Sequence, residues 1–218
     1  MSSRSLKAKL RHVRWIGGGS GAGKSTLARM LAEHYDLRLV ETEPFSKYDP
    51  RLNPTNAPLL HEFMAMDMDQ DQRWLDRTPQ CMFETFHAVQ GEGFNLIVDD
   101  LLALPNQRLV LVEGFRLLPQ LVAPLLSHRS QAVWLLPTSE LRLAAFETRG
   151  SKWDIAGKTS NPEKALANLL ARDQLFTDEL RRQADALGLP TIEVDIHMRI
   201  DDLASRVAGL IGLRQMGS

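Results

Sequence analysis

Short apolar runs recur along the chain at 12–17, 37–41, 108–113, 131–136 and 190–195. Between most of them lie longer segments in which apolar residues return every three or four positions. The runs read as strands, and the periodic segments read as helices at about 24–35, 117–126, 139–149, 162–187 and 201–213. Arg108-Leu109-Val110-Leu111-Val112-Glu113 is a continuous apolar stretch of the kind buried on both faces of a sheet. Helix ends are marked as well. Thr138 or Ser139 caps one start and Gly150 its stop, while Asn161-Pro162-Glu163 opens the long helix that Gly188 ends. Strand, helix and strand in this order imply parallel pairing through right-handed crossovers. The predicted fold class is therefore α/β, a doubly wound five-stranded parallel sheet. Residues 1–11 are polar and are expected to be loosely ordered.

One stretch breaks the alternation. From Thr42 to Gln107, about 65 residues separate two strands, far more than a crossover needs. Pro44, Pro50, Pro54 and Pro58 divide its first part into turns, and 59–76 and 79–103 read as helical with an interruption at Gly91 and Gly93. This helical elaboration either builds a second ligand site or simply packs on the sheet. One domain over 1–218 is expected, with 42–107 as an acceptor-site elaboration and 149–163 as a mobile, lid-like segment.

The chemistry enters at the end of the first strand. Gly18-Gly19-Ser20-Gly21-Ala22-Gly23-Lys24-Ser25, followed by Thr26, matches G-x-x-x-x-G-K-[ST], the phosphate-binding loop of nucleoside triphosphate enzymes. The glycines let backbone N–H groups close around phosphate oxygens. Lys24 brings a point charge to the β- and γ-phosphates, and the Ser25 hydroxyl suits Mg²⁺. A helix starting here adds its positive end to the anion site. A strand before the loop and a helix after it are the context the motif requires.

Composition narrows the setting. Net charge is −1, so no bulk field points to nucleic acid or an anionic membrane. With one cysteine, Cys81, no internal disulfide is possible, which fits a reducing compartment, and no apolar run reaches bilayer length. A cytoplasmic protein is expected, with neither membrane nor nucleic acid as partner.

Phosphoryl transfer needs further groups around the loop. Glu113 ends the third strand, where a carboxylate approaches Ser25 and organises Mg²⁺ through water. Glu43 is the preferred carboxylate on the acceptor side, as base or as orienting group, with Glu41 and Asp49 in reserve. Arg142 and Arg149 lie seven residues apart on one helix face and can bring positive charge over the phosphates; Lys152, Lys158 and Arg172 follow. Phe45, Tyr48 and Trp74 could stack on a planar acceptor or belong to the core. His61 and His87 lack metal-ligand spacing and read as scattered histidines.

These stretches resemble the small P-loop kinases of the nucleoside and nucleotide kinase group, most closely the uridine kinase and phosphoribulokinase-like branch. The matching segments are Gly18 to Thr26, Leu111-Val112-Glu113-Gly114, the arginine-bearing 142–150, and Asp195 before the closing helix. The resemblance implies sheet order 2-3-1-4-5, ATP on Gly18 to Thr26, Mg²⁺ near Glu113, and lid arginines at Arg142 and Arg149. It also implies that His197 to Arg199 lie near the adenine. Glu41-Thr42-Glu43-Pro44-Phe45 stands where the family carries an acidic Asp-Asp-Phe-Tyr type of segment, and 44–107 matches no acceptor site. The lid lacks the dense arginine pairs of nucleoside monophosphate kinases, which favours an alcohol over a phosphate-bearing acceptor.

The expected function is an ATP- and Mg²⁺-dependent phosphotransferase acting on a small-molecule acceptor, more readily a hydroxyl of a nucleoside, sugar or similar metabolite. Lys24, Glu43 and Arg149 would carry catalysis; Gly18, Gly19, Ser20, Gly21, Ala22, Gly23, Lys24, Ser25, Thr26 and Arg142 would bind ATP. Glu41, Phe45 and Trp74 would face the acceptor. The alternatives are a nucleoside monophosphate kinase, an acceptor-independent switch or ATPase, and a binder without chemistry. No Asn-Lys-x-Asp guanine motif and no Leu-Ser-Gly-Gly-Gln segment occurs.

Overall fold

Five strands, β1 (Val13–Gly18), β2 (Arg38–Glu41), β3 (Val110–Glu113), β4 (Ala132–Pro137) and β5 (Thr191–Val194), form one sheet in the order β2-β3-β1-β4-β5. Every pairing is parallel. The computed structural model describes residues 3–42, 49–66, 69–148 and 155–213. Alternation along each strand sends side chains to two faces. Trp15, Val112, Trp134 and Leu136 enter one buried cluster, and Ile16, Leu111, Val133 and Leu135 the other. The second face is covered by α2 (Lys24–His34) and by the closing helix Ile200–Leu210, through residues such as Leu27, Leu31, Leu203 and Val207.

The first face carries more. Helix α1 (Ser3–Lys9) leads to Leu10, which is fully buried against this face, and Leu6 packs beside it. The expectation of a loosely ordered start is thus corrected. Two leucines four residues apart give even a polar segment one apolar stripe, and burying it fixes the helix. The Ser127 hydroxyl also donates to the Lys7 carbonyl at 2.9 Å.

The elaboration contains α3 (Pro58–Ala65), α4 (Gln70–Trp74), α5 (Pro79–Glu84) and α6 (Phe94–Ala103). These are shorter than the two expected helices, for local reasons. Asp69 caps α4 by accepting from the Gln72 N–H, and Thr78 caps α5 by accepting from the Cys81 N–H, with Pro79 opening that helix. Each cap satisfies end donors of a new helix and so ends the previous one. Gly91 and Gly93, both at positive φ, turn the chain into α6. After β3 come α7 (Pro119–Val122), α8 (Ser139–Thr148), α9 (Pro162–Leu187) and α10 (Ile200–Leu210). Asn161 caps α9 by accepting from the Lys164 N–H, and Gly188 ends it at φ 61°. Trp74, Met82, Ala165 and Leu169 form a third, smaller cluster that joins the elaboration to α9.

Candidate active site

The parallel sheet delivers its carboxyl ends to one edge, and the phosphate loop rises there between β1 and α2. Its shape demands glycine at definite places. At Gly18, φ is +139° and an added Cβ would stand 2.2 Å from the Leu135 carbonyl oxygen. Gly23 precedes α2 in the left-handed region, at φ 75°. The Gly19 N–H donates to the Leu135 carbonyl at 3.0 Å, tying the loop to β4. Lys24 opens α2, is buried, and its Nζ donates to the Gly19 carbonyl at 2.9 Å.

Beneath the loop, the Ser25 hydroxyl donates to Glu113 Oε1 at 2.9 Å. Glu113 ends β3, pairs with Ile16 on one side and Glu41 on the other, and is 1% exposed. A buried carboxylate beside a loop hydroxyl is a hard-oxygen pair that suits Mg²⁺. That ion keeps most of its shell as water and phosphate oxygen. Among the described residues no three His, Cys, Asp or Glu side chains cluster to hold a metal without such help.

Arg142 sits on α8 with 1% exposure. Its guanidinium donates to Gln174 Oε1 at 3.1 Å, to the Pro137 carbonyl at 3.3 Å and to the Thr177 hydroxyl at 2.7 Å. Thr177 Oγ1 also lies 2.8 Å from where a Cβ on Gly19 would be, and the Arg142 Cα 3.5 Å from one on Gly21. The side chain thus braces β4, α9 and the loop together. Gln174 and Thr177 carried no motif; their helical phase toward the loop was the only signal.

At the end of β2, Glu41 ion-pairs with Arg29 at 2.6 Å and lines a cavity of about 240 Å³ with Thr42, Asp49, Leu52, Gly93 and Asp100. Arg51 bridges Asp49 and Asp100 there. Trp74 is buried, donates from Nε1 to Gln70 Oε1 at 3.1 Å, and packs edge-on to Phe63. Glu43, Phe45, Tyr48, Arg149 and Lys152 lie outside the described residues. Near the end of β5, the Asp195 carboxylate accepts from the His197 N–H at 2.8 Å. A second cavity, of about 520 Å³, is lined by His34, Tyr35 and Ser205 at the far end of α2 from the loop. The chemistry follows the buried loop and carboxylate rather than that groove.

A group that sequence reasoning passed over surrounds His87. This imidazole is 4% exposed and edges Phe63 and Phe86 at 5.7 and 4.9 Å between ring centres. Burial, then the charges of Arg116, Arg172 and Arg73, push its pKa down to about 3.

The family model described as AAA domain matches residues 13–152. The chain belongs to that family. A cytidylate kinase of Mesorhizobium japonicum is 27% identical over 88% of this chain and 94% of its own length. A cytidylate kinase of Mycoplasmopsis pulmonis is 26% identical over 90% and 93%. Among solved structures, a shikimate kinase from Acinetobacter baumannii in complex with shikimate aligns over 99% of this chain and 100% of its own, at 20% identity and TM-score 0.43. An uncharacterized protein from Eubacterium ventriosum covers 93% and 98%, at 16% identity and TM-score 0.48. The resemblance read from the sequence holds at the level of the P-loop kinase group, and these relatives do not support the uridine kinase and phosphoribulokinase-like branch. No helix among the described residues is long and apolar enough to cross a membrane.

Proposed function

We propose that this chain is an ATP- and Mg²⁺-dependent kinase that moves the γ-phosphoryl group of ATP to a small-molecule acceptor. The observation that carries the reading is the Ser25–Glu113 hydrogen bond of 2.9 Å under a complete phosphate loop. A strand-end carboxylate is buried there, where a nucleotide's metal would be met. When bound, Mg²⁺ neutralises charge on the β- and γ-phosphates.

The residues divide the remaining work. Loop amides from Gly18 to Thr26 hold the phosphates, and Lys24 exchanges its Gly19 carbonyl bond for phosphate oxygens. Ser25 and Glu113 would hold the metal between them, Glu113 through water. Glu43 follows Thr42, whose N–H donates to the Glu113 carbonyl at 3.0 Å. It is the carboxylate that orients the acceptor, or takes the proton of an acceptor hydroxyl as the new P–O bond forms. Arg149 follows the last residue of α8 and brings charge over the γ-phosphate while the segment 149–163 excludes water. Catalysis is positioning and charge neutralisation throughout.

A nucleoside monophosphate kinase is the second reading, favoured because both curated relatives described above are cytidylate kinases. ADP release measured with and without a panel of nucleosides, nucleotides, sugars and hydroxy acids tests the proposal. Turnover should require an acceptor and vanish in Lys24→Ala, while circular dichroism stays that of the parent. Acceptor-independent hydrolysis, or full product formation by Lys24→Ala, would overturn it.

A further inference from the structure

We infer that Asp173 and His87 read two neighbouring hydroxyls of the acceptor, which is therefore a polyhydroxylated molecule such as a nucleoside or a sugar. The word acceptor rests on the kinase reading; the site for a diol does not.

Asp173 stands on the inner face of α9 and is 4% exposed. Its Oδ1 meets Arg172 Nε at 2.7 Å. Its Oδ2 is withdrawn from water and has no hydrogen-bond partner among the described residues. A carboxylate oxygen left so is costly, and folded chains satisfy such atoms or reserve them for a ligand. The charge of this carboxylate is already matched by Arg172, with Arg142 in its field. An ammonium would add a further cation to that setting, whereas a hydroxyl supplies the missing donor without charge.

Position along α9 points to the acceptor as that ligand. Four residues after Asp173, Thr177 packs against Gly19 of the loop, and its hydroxyl donates to the Asp173 carbonyl at 2.9 Å. Four residues before it, Leu169 joins Trp74 and Met82 of the elaboration. Each interval is about 6 Å of helical rise, so Asp173 lies midway between the phosphate loop and the elaboration. A molecule that receives the γ-phosphoryl group has to sit between those two.

His87 supplies the second atom from the facing side. It follows α5 in the elaboration, is 4% exposed, and its Nδ1 likewise lacks a partner among the described residues. Its ring centre lies 4.9 Å from that of Phe86, and Arg172, the ion-pair partner of Asp173, lies 5.0 Å from the same ring. His87 and Asp173 thus approach one aromatic ring from two elements. The imidazole stays neutral beside Arg116, Arg172 and Arg73, so Nδ1 is left with one hydrogen bond to make and no charge. Adjacent hydroxyls on one carbon skeleton satisfy both atoms at once.

Matched probes test this by calorimetry, with the loop filled by Mg²⁺ and a nonhydrolysable ATP analogue. Cytidine is compared with 2′-deoxycytidine, and glucose with 2-deoxyglucose and glucosamine, so one hydroxyl is exchanged for hydrogen or an amine. In at least one series the hydroxyl form should bind about tenfold or more tightly than the others. Asp173→Asn should remove most of that preference, and His87→Phe should reduce it about twofold to tenfold. Asp173→Glu keeps a charge for Arg172 but displaces the oxygen, and it should lose the preference too if the asparagine variant does not fold. Binding of the ATP analogue shows that a variant is folded. If neither polyhydroxylated probe binds, if the deoxy forms bind as tightly, or if the preference survives in the Asp173 variants or in His87→Phe, the inference is overturned. Glucosamine binding as tightly as glucose would overturn the choice of hydroxyl over amine. Phosphorylation of a monohydric alcohol alone would keep the kinase and remove the diol site. A hydroxyl preference abolished in the Asp173 variants, without any acceptor-stimulated ADP release, would keep the site and remove the kinase.

Discussion

Replacing Arg142 by alanine probes whether this arginine braces the loop or only touches nucleotide. The wild-type guanidinium is 1% exposed and makes three hydrogen bonds, the strongest to Thr177 Oγ1 at 2.7 Å and the weakest to the Pro137 carbonyl at 3.3 Å. Hydrogen bonds from a charged donor contribute about 1.5–3 kcal/mol each, but burying the charge offsets much of that sum. The void left by a long side chain adds to the loss. A net destabilisation of about 3–4 kcal/mol is expected, a large share of the 5–15 kcal/mol typical of a domain. For a chain of this size each kcal/mol moves the melting temperature about 2–4 °C, so Arg142→Ala should melt roughly 6–16 °C below the parent. Differential scanning calorimetry without nucleotide reads this directly. Because Thr177 packs on Gly19, ATP-analogue affinity should fall as well, and Thr177→Val should reproduce part of that fall. A variant melting within about 2 °C of the parent, yet binding ATP poorly, would refute the brace and leave direct nucleotide contact as the whole role.

Two further outcomes follow from the buried charges. Glu113→Gln keeps a Ser25 partner but removes the anion, so the Mg²⁺ concentration for half-maximal ADP release should rise about 10–100-fold; an unchanged Mg²⁺ titration would remove Glu113 from the metal site. His87 has its folded pKa depressed from 6.5 to about 3, so the unfolded chain takes up a proton first as pH falls. Its contribution to stability is intact above pH 6.5, is lost progressively below it, and levels off near pH 3. At pH 5 the loss is about 2 kcal/mol relative to pH 8, and urea melts of His87→Phe should lack that part of the pH dependence. Parallel curves for parent and variant would contradict it.

Local physics wrote the donor half of the molecule into consecutive residues. The loop motif needs its glycines within one turn of chain, and Gly18 and Gly23 show why, one by close approach to Leu135 and the other by its left-handed φ. The same holds for β3, whose apolar run is buried at every position, and for α9, opened by Asn161 and closed by Gly188. Where tertiary packing decides, the sequence carried less. α1 forms because Leu6 and Leu10 find the sheet, which no property of a polar segment announces. His87 looked like a scattered histidine because the arginines that surround it come from α4, the β3 exit and α9. Convergence of distant residues leaves no spacing to read.

That convergence also assigns α9 a structural task. Thr177 holds the phosphate loop through Gly19 and Arg142, while Arg172 borders the aromatic patch one and a half turns earlier on the same helix. Ala165 and Leu169 then bury the N-terminal part of α9 against Trp74 and Met82 of the elaboration. A helix packed on both sides is stiff, so the separation between the phosphate loop and the aromatic patch is set by helical rise. Closure over the phosphates need not create that distance. Alignment of two reacting groups is better served by a part that does not move.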